Sequence, residues 1–221
     1  MKKICVVGMG PGKKEQMTLE AEAALNECDV IVGYTVYLDL LKADFPDKEF
    51  LSTPMRKEED RCRLAFEEAE KGKRVCMVCS GDAGVYGMAS LMLNIGTEYP
   101  DIELEIIPGV TAALSGAAVL GAPINHDFCV ISLSDLMTPW EVIANRLRAA
   151  CEGDFAIVLY NPASHKRPDY LKRACGIMLE IAGPEQACGY VRNIGREGQE
   201  AFTCTLEELK DAPGGVLFLI H

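Results

Sequence analysis

The sequence predicts an α/β fold made of two α/β domains. Short apolar runs alternate with longer segments in which apolar residues recur at helical spacing, a pattern typical of a mostly parallel sheet covered by helices. Glycine-rich loops end three of these runs in the first half of the chain. Near residues 112–122 a helix rich in Ala and Gly separates two sets of alternating elements. We therefore predict an N-terminal domain over residues 1–115 and a C-terminal domain over residues 116–221, with loops of both domains facing one cleft.

The first domain begins with a strand, a loop and a helix. The run from Lys3 to Val7 is suited to a strand that is buried on both faces. The apolar residues between Ala21 and Cys28 share one face of the following helix, for which Thr18 is a suitable N-cap. The later elements of this domain are strands at 29–32, 75–79 and 104–107 and helices at 38–43, 57–71, 85–95 and 111–120.

The second domain repeats the alternation after Pro123. Its predicted elements are strands at 129–132, 155–160, 189–193 and 216–220 and helices at 140–150 and 169–180. Two polar loops, residues 134–139 and 161–168, follow the first two of these strands. Because ligands bind outside the carboxyl ends of strands in α/β sheets, both loops are expected to carry functional side chains.

Composition and charge exclude several classes of protein. The chain has 22 Lys and Arg against 33 Asp and Glu, a net charge of -11, whereas a nucleic-acid binder needs a basic face. No apolar run reaches the 18 residues of a membrane-spanning helix, and the apolar start breaks at Gly8, too early for a signal peptide. We expect a cytoplasmic protein that binds a small molecule and has no nucleic-acid or membrane partner.

The ten cysteines are scattered, and only Cys76 and Cys79 are closely paired. This C-x-x-C lies inside a predicted strand, where residues three apart point to opposite faces. The two thiols are therefore not expected to share a metal ion or a disulfide. We predict that the cysteines are small buried hydrophobic residues in a reducing compartment and that the protein holds no metal.

Three glycine loops are the candidate ligand-binding segments: residues 8–12, 80–84 and 108–112. Glycine lets a ligand approach the backbone, and Asp82 can accept hydrogen bonds from ribose hydroxyls or an amino group. The first loop reads G-x-G-x-G, not the G-x-G-x-x-G of dinucleotide sites, and Pro11 has no N–H to offer a pyrophosphate. The second strand also lacks the acidic residue of such sites, since it ends at Val32-Gly33. A nucleotide-dependent oxidoreductase or a non-catalytic binding module is therefore the less favoured alternative.

In this order, the segments GMGPG, SGDAG and IPGVTAA resemble those of the tetrapyrrole methylase family, S-adenosylmethionine-dependent enzymes of corrin and sirohaem synthesis. The longer stretches VGYTVYLDLL, SGDAGVYGMA, HDFCVISLSDLMTPWEVIANRLRAA and FAIVLYNPAS are similar to the ring-contracting members of that family. The resemblance implies methylation of precorrin-3B or cobalt-factor III at C17, with ring contraction, in cobalamin biosynthesis. Another tetrapyrrole methylase, acting at C11 or C20, or a methylase of rRNA or protein with the same fold, is the alternative.

The resemblance also implies the cofactor, the assembly and the binding residues. The cofactor S-adenosylmethionine, released as S-adenosylhomocysteine, is expected in the cleft between the domains of a homodimer, and the first loop is expected to form a tight turn on the substrate side. The expected cofactor contacts are Pro11, Gly81, Asp82, Ala83, Tyr86, Thr111, Ala112, Tyr160, Asn161 and Asn193. The expected contacts to the tetrapyrrole are Gly10, Lys166, Arg167 and Arg192, the basic residues among them attracting substrate carboxylates.

The chemistry of the two steps suggests the catalytic residues. Methyl transfer from a sulfonium to carbon is a direct displacement, so the enzyme has to align the reactants and exclude water. Ring contraction requires the loss of a hydroxyl proton, which a general base accelerates. His126, Asp127 and Asp135 flank a predicted strand and are the alternative candidates for this base.

Overall fold

The computed structural model describes residues 2–53, 57–162, 168–212 and 217–220 of the chain. The chain divides into two compact units, Met1–Ala112 and Ala113–His221, with the division three residues before the predicted domain boundary. Within the described ranges, no helix is long and apolar enough to cross a membrane.

The first unit is a parallel five-stranded sheet with helices on both faces. Its elements are β1 (Lys2–Gly8), α1 (Leu19–Glu27), β2 (Val30–Tyr34), α2 (Thr35–Leu41), β3 (Glu49–Thr53), α3 (Glu58–Glu70), β4 (Val75–Cys79), α4 (Ala89–Gly96) and β5 (Ile102–Ile107). The strand order is β3-β2-β4-β1-β5, and every pair of neighbours is parallel. The five carboxyl ends therefore lie along one edge, here called the carboxyl edge of the first sheet.

The first sheet is buried on both faces because its strands are continuously apolar. Met77 on β4 packs with Phe66 and Met92 from α3 and α4. The next residue, Val78, packs on the opposite face with Leu25 and Leu38 from α1 and α2. The helices that follow the neighbouring strands β1 and β4 thus lie on opposite faces. Such a reversal is the topological switch point at which α/β sheets bind ligands.

The second unit is a mixed five-stranded sheet. Its elements are α5 (Ala112–Val119), which begins at the unit boundary, β6 (Phe128–Ser132), α6 (Trp140–Glu152), β7 (Ala156–Tyr160), α7 (Tyr170–Leu179), β8 (Ala187–Arg192), β9 (Glu200–Thr205), α8 (Leu206–Leu209) and β10 (Leu217–Ile220). The strand order is β6-β7-β10-β8-β9. β6 and β7 are parallel, and β10 is antiparallel to both β7 and β8. β6, β7 and β8 therefore end at the same edge, the carboxyl edge of the second sheet.

Most predicted elements are confirmed, including the Thr18 cap, whose Oγ1 accepts a hydrogen bond from the Ala21 N–H at 3.1 Å. β3, β9 and α8 were not predicted. Both strands lie at sheet edges and are largely exposed, so they lack the apolar pattern of the central strands. The helix predicted from residue 85 begins only at Ala89. The positive φ of 54° at Tyr86 interrupts the helix there.

Candidate active site

The first two glycine loops meet at the carboxyl edge of the first sheet, where β4 and β1 are neighbours. The Gly10 N–H donates to the Gly81 carbonyl at 3.0 Å, and the Gly81 N–H donates to the Gly10 carbonyl at 2.8 Å. This short antiparallel bridge joins loops that are about seventy residues apart in sequence. The bridge lies at the switch point, the position where the fold favours a bound ligand.

The third loop approaches the other two so closely that its glycine has no room for a side chain. A Cβ on Gly109 would lie 2.2 Å from the Gly81 carbonyl oxygen and 2.4 Å from the Gly8 carbonyl oxygen. A Cβ on Gly8 would lie 2.6 Å from the Gly109 nitrogen. The three loops thus contact each other through backbone atoms, and any other residue at position 109 would force them apart.

The Asp82 carboxylate ties the second loop to the third. Its Oδ1 accepts hydrogen bonds from the N–H groups of Gly84 and Val85, at 2.8 and 3.1 Å. Its Oδ2 accepts a hydrogen bond from the Gly109 N–H at 2.9 Å. A carboxylate offers about four acceptor positions, so these bonds leave about one for a ligand. The sequence suggested a ligand contact for Asp82, and the structure gives it a supporting role in addition.

The first loop does not lead directly into a helix, as a pyrophosphate-binding loop would. After Gly12 the chain forms a 3₁₀ turn at Lys14–Gln16, and α1 begins only at Leu19. Thr18 caps that helix and also donates a hydrogen bond from its hydroxyl to the Pro108 carbonyl at 3.2 Å. This arrangement agrees with the interpretation that the loop is not a dinucleotide cradle.

The remaining cofactor candidates of the first unit lie at the same edge. Ala83 is fully buried beneath the second loop, whereas the Tyr86 side chain is 53% exposed. Thr111 and Ala112 follow β5, and a Cβ on Gly81 would lie 3.6 Å from the Thr111 Cα, an ordinary packing distance. Pro11 is buried. The predicted cofactor contacts of this unit thus all follow strands that end at the carboxyl edge of the first sheet.

Three predicted cofactor contacts in the second unit share its carboxyl edge. The hydroxyl of Tyr160, the last residue of β7, accepts a hydrogen bond from the Ala113 N–H at 2.9 Å. Asn161 has a positive φ of 53° and donates from its side-chain amide to the Ser132 hydroxyl at 3.0 Å. Asn193, with a φ of 48°, follows β8. Asn residues in the left-handed backbone conformation thus turn the chain directly after two strands of this edge.

The structure separates the three candidates for the general base. Asp135 follows β6 at the carboxyl edge of the second sheet. Its Oδ2 accepts a hydrogen bond at 2.5 Å from the hydroxyl of Tyr170, a largely buried residue that packs on Trp140. His126 and Asp127 precede β6 and lie at the opposite edge, about 16 Å away along a five-residue strand. No local pattern indicated Tyr170, which is 35 residues from Asp135.

Of the predicted contacts to the tetrapyrrole, Gly10 lies in the bridge between the first two loops. Arg192 ends β8, at the carboxyl edge of the second sheet, and its Nη1 lies 3.7 Å from Glu200 Oε2. Its side chain is 36% exposed. Lys166 and Arg167 fall outside the described residues.

The C-x-x-C pair lies on opposite faces of β4, as predicted. Cys76 packs on the side of α1 and α2, and Cys79 on the side of α3 and α4. Burial raises the pKa of the Cys79 thiol to about 11. In the part of the chain that the structure describes, no group of three or more His, Cys, Asp or Glu side chains is arranged to hold a metal ion.

Comparison with known proteins gives a consistent result. Residues 3–210 match the family of Tetrapyrrole (Corrin/Porphyrin) Methylases. A relative from Salmonella typhimurium, named probable cobalt-factor III C(17)-methyltransferase, is 42% identical over 98% of this chain and 90% of its own length. A relative from Sinorhizobium sp, named precorrin-3B C(17)-methyltransferase, is 42% identical over 92% of this chain and 81% of its own length.

Solved structures agree with these relatives. The crystal structure of the methyltransferase CobJ superposes with a TM-score of 0.89 and 36% identity, covering 100% of this chain and 94% of that one. A uroporphyrin-III C-methyl transferase from Thermus thermophilus, complexed with S-adenyl homocysteine, gives a TM-score of 0.76 over 99% of this chain and 96% of that one. At 20% identity the second likeness shows a shared fold alone.

Proposed function

The chain belongs to the tetrapyrrole methylase family, and we propose that it transfers a methyl group from S-adenosylmethionine to C17 of precorrin-3B or cobalt-factor III. The transfer is accompanied by ring contraction in cobalamin biosynthesis. The choice of substrate rests on two relatives named for C17 methylation, each 42% identical to this chain. The observation that carries the proposal is the junction of the three glycine loops at the switch point of the first sheet.

The glycine-loop junction suits a site that binds and aligns a methyl donor better than one that supplies a nucleophilic side chain. The loops contact each other through backbone atoms, and glycine lets a small ligand approach the backbone closely. Displacement at a sulfonium methyl needs alignment and exclusion of water but no attacking side chain. In our proposal S-adenosylmethionine supplies the activated methyl group. The three loops and the polar residues Tyr160, Asn161 and Asn193 then bind and orient the reactants.

Calorimetry with S-adenosylhomocysteine and, separately, NADH tests the cofactor assignment. We expect the protein to bind S-adenosylhomocysteine and to show no heat of binding with NADH. Binding of NADH without binding of S-adenosylhomocysteine would contradict the proposal and favour the oxidoreductase alternative.

We assign the general base of ring contraction to Asp135. It is the one candidate that shares an edge with Tyr160, Asn161 and Asn193. The hydrogen bond from the Tyr170 hydroxyl fixes the orientation of the carboxylate. A carboxylate held in a fixed orientation can accept a proton from a substrate hydroxyl placed within hydrogen-bond reach.

Asp135→Asn is expected to lower the rate of ring contraction by about 10²- to 10⁴-fold, the usual contribution of a general base. The amide keeps the size of the side chain but does not accept the proton. Methylation is followed by mass and contraction by the visible spectrum of the macrocycle. His126→Ala, at the opposite edge, is the control and is expected to retain both rates. Retention of contraction in Asp135→Asn, or its loss in His126→Ala, would show that the assignment is wrong.

Arg192→Glu is expected to raise the KM for the tetrapyrrole about tenfold or more and to change the KM for S-adenosylmethionine less than twofold. The reason is that a charge-assisted hydrogen bond to a substrate carboxylate contributes about 1.5–3 kcal/mol. Arg148→Glu is a matched control, because Arg148 on α6 also lies 3.7 Å from a glutamate, Glu180. Steady-state kinetics with each substrate varied in turn give the comparison. Equal changes in both KM values would argue against a substrate contact.

We also propose that the enzyme is a homodimer of the cytoplasm. Two large apolar side chains of the loop after β6, Leu136 and Met137, are 77% and 94% exposed in the single chain, which supports a partner surface. The ten cysteines are free thiols, which supports a reducing compartment. Light scattering is expected to give twice the 24.1 kDa mass of the chain.

A further inference from the structure

Three cysteines from separate elements line one cavity of the first unit. Cys5 on β1, Cys28 at the end of α1 and Cys76 on β4 border a space of about 240 Å³. Cys28 and Cys76 are 3% and 1% exposed, whereas Cys5 is only half-buried. None of the glycine-loop residues lines this cavity. The cavity is therefore a feature of the fold that methyl transfer does not explain.

The strand register places the Cα atoms of Cys5 and Cys76 at a separation that a disulfide can span. They are register partners on the neighbouring parallel strands β1 and β4, so their side chains point to the same face. Neighbouring strands lie about 4.8 Å apart, within the Cα separation of about 4.4–6.8 Å found in disulfides. The Cys5 thiol is the more accessible of the two, and Cys76 lies buried beside it.

The surroundings of the two thiols make them chemically unequal. The neighbouring Cys76 thiol lowers the pKa of Cys5, by more than burial raises it. The pKa of Cys76 itself lies well above its usual value, because of the neighbouring Cys28 and Cys5 thiols and because of burial. The Cys5 thiol also donates a hydrogen bond to Glu105 Oε2 at 3.4 Å, and this carboxylate, which pairs with Lys3 at 2.7 Å, raises the pKa of Cys5 and so opposes part of the lowering. Attack by Cys5 and resolution by Cys76 is the order that these differences favour.

We propose that Cys5 and Cys76 form a thiol–disulfide exchange site that reacts with small disulfides entering the cavity. The Cys5 thiolate attacks one sulfur of a disulfide RSSR, which forms a mixed disulfide on Cys5 and releases RS⁻. Cys76 then gives up its proton and attacks the Cys5 sulfur, which releases the second RS⁻. In balance, two protein thiols are oxidised to one disulfide, and RSSR is reduced to two RSH.

The reaction of the reduced full-length protein with limiting hydroxyethyl disulfide tests this inference. Samples quenched with acid over time are mapped as peptides by mass spectrometry. We expect a transient adduct on Cys5, followed by a Cys5–Cys76 disulfide. An internal control is the pair Cys188 and Cys204, register partners on β8 and β9 whose pKa values are raised by burial. The Cys5–Cys76 bond is expected to form at least tenfold faster than a Cys188–Cys204 bond.

Three variants distinguish the attack of Cys5 on the small disulfide from the later attack of Cys76 on the mixed disulfide. Cys5→Ser is expected to abolish both the adduct and the disulfide, Cys76→Ser to stop the reaction at a stable Cys5 adduct, and Cys28→Ser to retain the Cys5–Cys76 bond. Oxidation of Cys188–Cys204 at the same rate, or no Cys5–Cys76 disulfide in the wild-type protein, would overturn the proposal. The wild-type peptide map decides the question even where a variant does not fold.

Discussion

Replacement of Asp82 by Ala is expected to weaken binding of S-adenosylhomocysteine by about 100-fold or more. The carboxylate accepts three backbone hydrogen bonds that hold the second glycine loop in shape and attach it to Gly109 in the third. Hydrogen bonds to a charged group contribute about 1.5–3 kcal/mol each, and 1.4 kcal/mol corresponds to a tenfold change in affinity. Titration calorimetry gives the dissociation constant.

Two further variants test whether the loss of affinity comes from the hydrogen bonds of the Asp82 carboxylate. Asp82→Asn is expected to lie between Asp82→Ala and the wild type. Its amide oxygen can still accept from Gly84 and Val85, but its NH₂ group cannot accept from Gly109. Asp101→Ala, on an exposed turn before β5, is the control and is expected to bind normally. Unchanged affinity in Asp82→Ala would show that the loops hold their positions without this carboxylate.

Gly109→Ala is expected to destabilise the protein by about 3 kcal/mol and to abolish cofactor binding. The added Cβ would meet carbonyl oxygens of Gly81 and Gly8 at 2.2 and 2.4 Å. Both belong to the backbone of strand ends or their loops, so the contact is relieved only if the loops separate. Urea denaturation measures the stability, and calorimetry measures the binding.

Gly176→Ala is the matched control for the added methyl group. Gly176 lies in α7, where a Cβ would meet nothing within 4 Å. Alanine in a helix is favoured over glycine by about 0.5–1 kcal/mol, so this variant is expected to be slightly more stable than the wild type. If both glycine variants had wild-type stability, the close backbone contact at Gly109 would not exist in solution.

The sequence predicted the fold class and the edge at which the glycine loops meet. Both follow from local patterns, because alternating apolar runs and helical segments imply parallel strands, whose carboxyl ends share one edge. The edge strands β3 and β9 were missed, since their exposed faces carry no apolar periodicity. Tertiary pairing at the sheet, and not local propensity, makes those segments strands.

The partners of the site side chains could not be predicted. The contact between Asp135 and Tyr170, like that between Asp82 and Gly109, joins residues that are far apart in sequence and leaves no local pattern. The three candidates for the base were grouped because they flank one strand. A strand carries its two flanking segments to opposite edges of a sheet, so only Asp135 remains beside the polar residues that end β7 and β8.

C17 methylation is tested by mass spectrometry of the products formed anaerobically from methyl-labelled S-adenosylmethionine. Precorrin-3B and cobalt-factor III are supplied in parallel reactions, and the labelled position is located by NMR. We expect the gain of one labelled methyl group at C17 on one of the two substrates. No transfer to either substrate by a protein that binds S-adenosylhomocysteine would contradict the claim and point to a different tetrapyrrole.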